Sequence, residues 1–530
     1  MTPPTPVTRV PTLVPTWSQL KRFLVAVHLY LGLVLCLFFA VWFVTGIVMM
    51  YYTWPDFRQV ERQAFAETIP WERVRLDPSA ATAAAGWDRL PLAQARIGAV
   101  LGRPVMRALP RGHRWRAIYL DDGSEVALNS QDARRVAERV SPGKWTLTDF
   151  EWEGSSMQAG YAGGLKDYDR VHFFTAGDGT GRQLVVSAAT GEPLLLAGRF
   201  FPLAFVAGPG LHYFMIKAIR QHDGFWHDLM HTSAALACVA SLTGLILGLV
   251  FVRWKAVPNN PRWALPYVNG WMWWHHALGL LFGLVTLTWS ISGLLSFNPF
   301  SSLSFGVDPH GLDRFRGGAL SAAAFTNVGT LSHIDPRARE VDLAVFEHQA
   351  HGRIWNGGPT PTRWSQTSDG TWTPATRLGT HRVSTALQRL YPGVTLTKLD
   401  VLEQGDAYYY ERAEKRRWRS LPVYRATLEG SAATTMYLEP TSGEVFLTQS
   451  TGSRMRRWLY QGLHSFDYHP FVVRPFWDVL MITLLLGGFS LSVSGVVLSW
   501  RWLVRTVVRS PQSPFRARPR SSDSTAEATG

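Results

Sequence analysis

Residues 23–55 read FLVAVHLYLGLVLCLFFAVWFVTGIVMMYYTWP and hold no Asp, Glu, Lys or Arg. A helix needs about 20 apolar residues to cross a bilayer core. The stretch therefore predicts a membrane span with a single histidine, His28, inside it. Leu229 to Val252, Ala264 to Val307 and Val479 to Trp500 are likewise free of charged residues. Four spans are predicted, at 22–52, 225–252, 271–296 and 477–502. Phe200 to Ile216 is apolar too, but Pro202 and the Gly208-Pro209-Gly210 turn interrupt it. It reads as an interfacial approach to the second span. The first span is too long for a signal peptide, and no small-x-small cleavage site follows it.

Composition agrees with a membrane protein carrying sizeable water-exposed parts. Of 530 residues, 46% are hydrophobic and 17% charged, which excludes a disordered or coiled-coil chain. The two cysteines, Cys36 and Cys238, sit in apolar runs. That excludes a disulfide framework, an iron–sulfur protein, a cysteine zinc module and covalently attached c-type haem.

Positive charge marks the cytoplasmic side. Arg9, Lys21 and Arg22 precede the first span, and Arg253, Lys255 and Arg262 lie between the second and third. Arg501, Arg505, Arg509, Arg516, Arg518 and Arg520 follow the fourth, against Asp523 and Glu527. These segments carry +10 of the net +14 charge, so the basicity is a topology signal and no nucleic-acid partner is expected. The expected plan is a multi-pass protein of a bacterial inner membrane with both termini cytoplasmic. It comprises a cytoplasmic 1–21, outside domains at 53–224 and 297–476, a loop at 253–270 and a basic tail at 503–530.

The chain also repeats itself. His28-Leu-Tyr-Leu-Gly32 matches His275-His-Ala-Leu-Gly279, and 18 residues after each histidine come Gly46 and Gly293, preceded by Thr45 and Ser292. Thr190-Gly191-Glu192 matches Ser442-Gly443-Glu444, and 21 residues beyond each glycine come His212 and His464, each after a leucine. Phe225-Trp226 and Phe476-Trp477 open the even spans, and Thr243-Gly244 and Ser494-Gly495 follow at one interval. Each unit is span, outside domain, span, so the expected fold is a four-helix transmembrane bundle with two α+β domains and an internal two-fold repeat. Strand pairs are expected at 184–196 and 435–448, and helices such as 91–102 and 383–390. Parallel copies put the pseudo-axis along the membrane normal.

Ionisable residues inside a membrane are costly and usually have a job. The repeat sets His28 and His275 at one depth, and His212 and His464 at another. Two imidazoles facing each other can supply both axial ligands of a b-type haem, which then moves electrons. The alternative is that they hydrogen-bond between helices. His231 could take the place of His212, and His227 and His276 are further histidines near the spans. His227-Asp-Leu-Met-His231 resembles a zinc-protease helix, but Asp228 stands where glutamate is needed and no third ligand is evident. Gly177-Asp-Gly-Thr-Gly181 does not open a helix, so it is a poor dinucleotide site. The segments assigned to the cytoplasm are too short for a nicotinamide or flavin domain, so electrons would come from a quinol or a separate protein.

The repeated span–domain–span unit, the His-x-x-x-Gly start of the odd spans and the Thr/Ser-Gly-Glu turn followed by Leu-His resemble the PepSY-associated transmembrane family over about 17–505. The plan is similar to that family's inner-membrane reductases of ferric siderophores. The resemblance implies two haem b groups, PepSY-like periplasmic domains, and reduction of a hydroxamate-type Fe(III)-siderophore to release Fe(II). Its motif histidines correspond to His28, His212, His275 and His464. Tyr408-Tyr409-Tyr410, Trp418, Trp355 and Trp152 could shape a substrate surface or simply pack. Two other readings stay open: a haem-free scaffold that binds peptide or a protease, and a quinol oxidoreductase with another acceptor.

Overall fold

The computed structural model describes residues 16–52, 62–63, 65–141, 143–149, 167–220, 222–254, 265–267, 270–297, 309–410, 420–430, 434–468 and 471–508. Trp152, Trp418, Arg9, Lys255, Arg262 and the tail beyond 508 lie outside the described residues. The principal helices are α1 (Trp17–Tyr51), α2 (Ser130–Val140), α3 (Asp223–Phe251), α4 (Trp271–Ser296), α5 (Thr380–Leu390) and α6 (Phe476–Leu503). Helices α1, α3, α4 and α6 are long and apolar enough to cross a membrane. They begin and end within five residues of the predicted spans.

A helix in lipid must satisfy its backbone internally. These four do, and their hydroxyls follow suit: Thr243 Oγ1 donates to the Val239 carbonyl and Ser492 Oγ to the Gly488 carbonyl. Large apolar side chains such as Val34, Leu37, Leu281 and Leu486 remain exposed, as lipid-facing residues would.

The chain divides into two compact units. One comprises 1–40, 236–287 and 486–530; the other comprises 41–235 and 288–485. In the first, glycines let helices close on one another. A Cβ on Gly487 would fall 2.3 Å from the Phe282 ring, and one on Gly283 would meet Leu245 at 3.5 Å.

The second unit holds the strands. They are β1 (Leu92–Val100), β2 (Arg103–Pro110), β3 (Arg116–Tyr119), β4 (Trp145–Asp149), β5 (Val171–Ala176), β6 (Gln183–Ser187), β7 (Pro193–Ala197), β8 (Glu340–Phe346), β9 (Gln349–Trp355), β10 (Thr362–Gln366), β11 (Trp372–Pro374), β12 (Thr395–Leu402), β13 (Val423–Glu429), β14 (Thr435–Leu438) and β15 (Val445–Gln449). Two four-stranded antiparallel sheets, β4-β5-β6-β7 and β12-β13-β14-β15, each pack against one amphipathic helix. Helix α2 buries Ala133, Val136, Ala137 and Val140, and α5 buries Val383, Ala386, Leu387 and Leu390. Both sets follow the i, i+3, i+4, i+7 stripe of a helix on a sheet. Asn129 caps α2 by accepting from the Gln131 and Asp132 amides.

One expectation needs correction. Residues 91–102 form strand β1 and the turn after it, not a helix. Leu101 and Gly102 both take positive φ, which makes the tight hairpin turn to β2 and overrides the helical leaning of Ala, Gln and Arg. The two α+β parts share a sheet. Strand β1 pairs antiparallel with β8 through Ala95–Leu343, Arg96–Asp342 and Ile97–Val341, giving a seven-stranded sheet ordered β11-β10-β9-β8-β1-β2-β3. A continuous core, including Ile97, Met106, Ile118, Val341 and Ile354, lies on it.

The Thr/Ser-Gly-Glu turns are the hairpins β6–β7 and β14–β15, as expected. Gly191 and Gly443 take φ of +66° and +65°, and a Cβ on either would come within 2.6 Å of Val100 or Phe346. Gly177–Gly181 makes the turn between β5 and β6 and opens no helix.

Candidate histidine site

Four of the candidate histidines meet in two pairs. In one unit the rings of His28 on α1 and His275 on α4 lie 6.2 Å apart, centroid to centroid, inclined at 44°. In the other unit His212 and His464 lie 6.3 Å apart at 81°. His212 follows the short helical segments Phe201–Phe205 and Val206–Gly210; His464 sits in Leu463–Ser465, after Thr451–Arg456 and Arg457–Gly462. Both approaches contain a π-helical turn. Arg457 secures the second by donating to the Asp467 carbonyl at 3.0 Å.

The hydrogen bonds around the rings fix which nitrogen carries the proton. His28 Nδ1 is 3.0 Å from the Ala240 carbonyl, which can only accept, so Nδ1–H donates. His275 Nδ1 is 2.9 Å from Ser494 Oγ, and that hydroxyl gives its one proton to the Leu491 carbonyl. Thr45 Oγ1 lies 2.8 Å from His212 Nδ1 and donates to the Trp42 carbonyl. Ser292 Oγ lies 3.0 Å from His464 Nδ1 and donates to the Trp289 carbonyl. If each hydroxyl gives its one proton to its carbonyl, both contacts are made only when it accepts from Nδ1–H. All four imidazoles are therefore assigned the Nδ1–H tautomer, with the lone pair on Nε2.

That is the arrangement of metal-binding imidazoles, whose second nitrogen donates to a fixed acceptor. The spacing agrees. With a metal–nitrogen bond of about 2.0–2.1 Å and about 1.2 Å from Nε2 to ring centre, two imidazoles on opposite sides of one ion would stand about 6.5 Å apart. Among the described residues no group of three or more His, Cys, Asp or Glu is placed to hold a metal ion. The histidines can thus offer two ligands per ion, which suits an ion whose remaining positions are filled by a macrocycle.

Glycines make room beside the rings. A Cβ on Gly244 would fall 2.5 Å from His28 Cε1, and one on Gly495 3.6 Å from His275 Cε1. One turn past His28, a Cβ on Gly32 would meet nothing within 4 Å. The small-residue–glycine pairs thus serve the histidines: Thr45, Ser292 and Ser494 meet the rings, and Gly244 admits His28. The repeat showed these pairs in the sequence, but not the hydrogen bonds they make.

The remaining histidines stand apart. His231 Nδ1 donates to the His227 carbonyl at 2.8 Å, and its ring faces Phe297 at 5.5 Å. His276 Nε2 donates to the Gly248 carbonyl at 2.8 Å. The aromatic candidates are engaged in packing. Tyr409 stacks on Tyr437 and donates to the Ser420 carbonyl, Trp355 donates to Asp342, Tyr408 accepts from Trp458, and Tyr410 donates to Asp467.

Four apolar helices and the antiparallel sheets define a multi-pass membrane protein with α+β domains. The family model described as the PepSY-associated TM region matches residues 25–391, and the chain belongs to that family. No curated protein matches the chain.

Proposed function

We propose that this protein is a di-haem b electron-transfer protein of the bacterial inner membrane that reduces Fe(III)-siderophore on the periplasmic side. Its cytoplasmic end is taken to be the one carrying Lys21, Arg22, Arg253, Arg501 and Arg505. The two halves of the chain are read as copies of one unit. The observation that carries the proposal is the pair of imidazole pairs, 6.2 and 6.3 Å apart, with every Nδ1–H donated away.

His28 and His275 would hold one group and His212 and His464 the other. Haem b supplies reversible one-electron chemistry at an iron with no open position. The protein's own part is orientation: Thr45, Ser292, Ser494 and the Ala240 carbonyl keep each Nε2 lone pair turned away from its helix-borne acceptor. Electrons would enter from a quinol or a separate protein. The substrate reading rests on the resemblance to the family's siderophore reductases and on the weak hold of hard-oxygen chelators on Fe(II).

Pyridine haemochrome quantitation of the purified chain should give two haem b per polypeptide. His28→Ala and His275→Ala should each remove one haem, and the same one, leaving a single α band on reduction. A colourless protein after expression with haem supplied would favour the scaffold reading. Stopped-flow oxidation of the dithionite-reduced protein by ferrioxamine tests the substrate, and a rate unchanged by the chelate would remove it.

A further inference from the structure

The seven-stranded sheet carries a buried network of opposite charges where β1 meets β8. Glu192, from the β6–β7 turn, takes Arg96 at 3.1 Å and lies 3.7 Å from Arg107. Glu444, from the β14–β15 turn, takes Arg353 at 2.8 Å, and Asp342 lies 3.3 Å from the same guanidinium. Glu340 takes Arg62 at 2.7 Å. Four carboxylates thus meet four arginines.

A fifth arginine breaks the balance. Arg316 lines a cavity of about 310 Å³ together with Arg62, Arg96, Arg353, Asp342 and Glu444. Among the described residues Arg316 makes no ion pair. Burial, only partly offset by Glu444 and Asp313, holds its guanidinium below its ordinary value. Arg96 is 6% exposed and its Nε has no hydrogen-bond partner, although its guanidinium lies 4.2 Å over the Trp115 ring. Among the described residues the network therefore counts five arginines against four carboxylates, and it faces a cavity rather than a packed core. The other walls are organic in character: Trp115, Tyr409 and Phe446 with Leu343 and Val345.

We propose that this cavity binds a small organic carboxylate, with its anionic group set against Arg316 and Arg96. A planar guanidinium matches a carboxylate with two parallel hydrogen bonds, and the aromatic wall takes the carbon body. The buried pairs behind it hold Arg96 and Arg353 rigid, so little ordering is needed on binding. A free cation fits poorly, because it would add to the excess charge. This site stands apart from the histidine pairs and does not depend on what they hold.

The test is isothermal titration of the full-length protein in detergent, at low salt, with citrate, inorganic phosphate and choline as probes. Citrate should bind saturably, and Arg316→Gln should weaken it at least tenfold while the thermal midpoint stays close to that of the parent. Because Arg316 makes no ion pair among the described residues, this variant should fold. No heat with citrate, or binding unchanged in Arg316→Gln, overturns the proposal. Phosphate bound as tightly as citrate also overturns it, since the site would then be a plain anion trap. Choline bound as tightly would remove the charge argument itself.

Discussion

Thr45 shows how much one hydroxyl can decide. Its proton goes to the Trp42 carbonyl, so its lone pair must take the proton of His212 Nδ1. Thr45→Val keeps the shape, removes the acceptor and leaves the imidazole free to change tautomer or rotate. Loss of such an outer partner typically weakens a metal–imidazole site by about 10–100-fold. The expected outcome is faster haem loss from Thr45→Val, followed as transfer to apomyoglobin, with the His28–His275 spectrum unchanged. Equal loss from both sites would show a general loosening instead. The histidines themselves were legible in the sequence, because they recur at 18- and 21-residue intervals from glycines. Their acceptors were not. A Thr-Gly or Ser-Gly pair in a span looks the same whether it serves helix packing or a ring, and Ala240 contributes only its backbone.

At the scale of elements, apolar length identified all four spans, since lipid permits only a helix there. Strand β1 was misread because LAQARIGAV has residues that suit a helix, and only its partners β2 and β8 make it a strand. The Thr/Ser-Gly-Glu hairpins were readable because they are local: alternation on both sides, and a glycine between. Their purpose is tertiary. Gly191 sets the left-handed turn, lies against Val100, and delivers Glu192 to Arg96 and Arg107, while the Thr190 carbonyl accepts from Arg107 Nε at 3.1 Å. Gly191→Ala combines an unfavourable φ with a Cβ only 2.6 Å from a valine methyl. The expected cost is about 1–3 kcal/mol. It should appear as a lower midpoint in thermal unfolding, while Gly32→Ala, whose Cβ would meet nothing within 4 Å, should leave the apoprotein's midpoint alone.

For the whole molecule, joining the two α+β parts through β1 and β8 concentrates charge inside the fold, and this makes stability depend on pH in two steps. His351 on β9 is 4% exposed, and neither ring nitrogen has a hydrogen-bond partner. Burial pushes its value down from 6.5 to about 4. The folded state thus refuses a proton that the unfolded chain accepts, so its contribution is whole above pH 6.5 and is lost as pH falls toward 4, to a limit of about 3 kcal/mol. The carboxylates act lower. Burial alone would raise Glu340 and Glu192, but their arginine partners hold both below the ordinary 4.5. Their contribution is present above pH 4.5 and lost as pH falls below it. Thermal midpoints of the full-length protein between pH 8 and 3 should therefore decline first from about pH 6.5 and more steeply below pH 4.5. His351→Leu fills the same space without a titrating group. It should shrink the upper decline and keep the lower one, whereas Glu340→Gln, which strands Arg62, should lower the midpoint even at pH 8, by an amount equivalent to about 3–5 kcal/mol. An upper decline of unchanged size in His351→Leu would assign that step to another group.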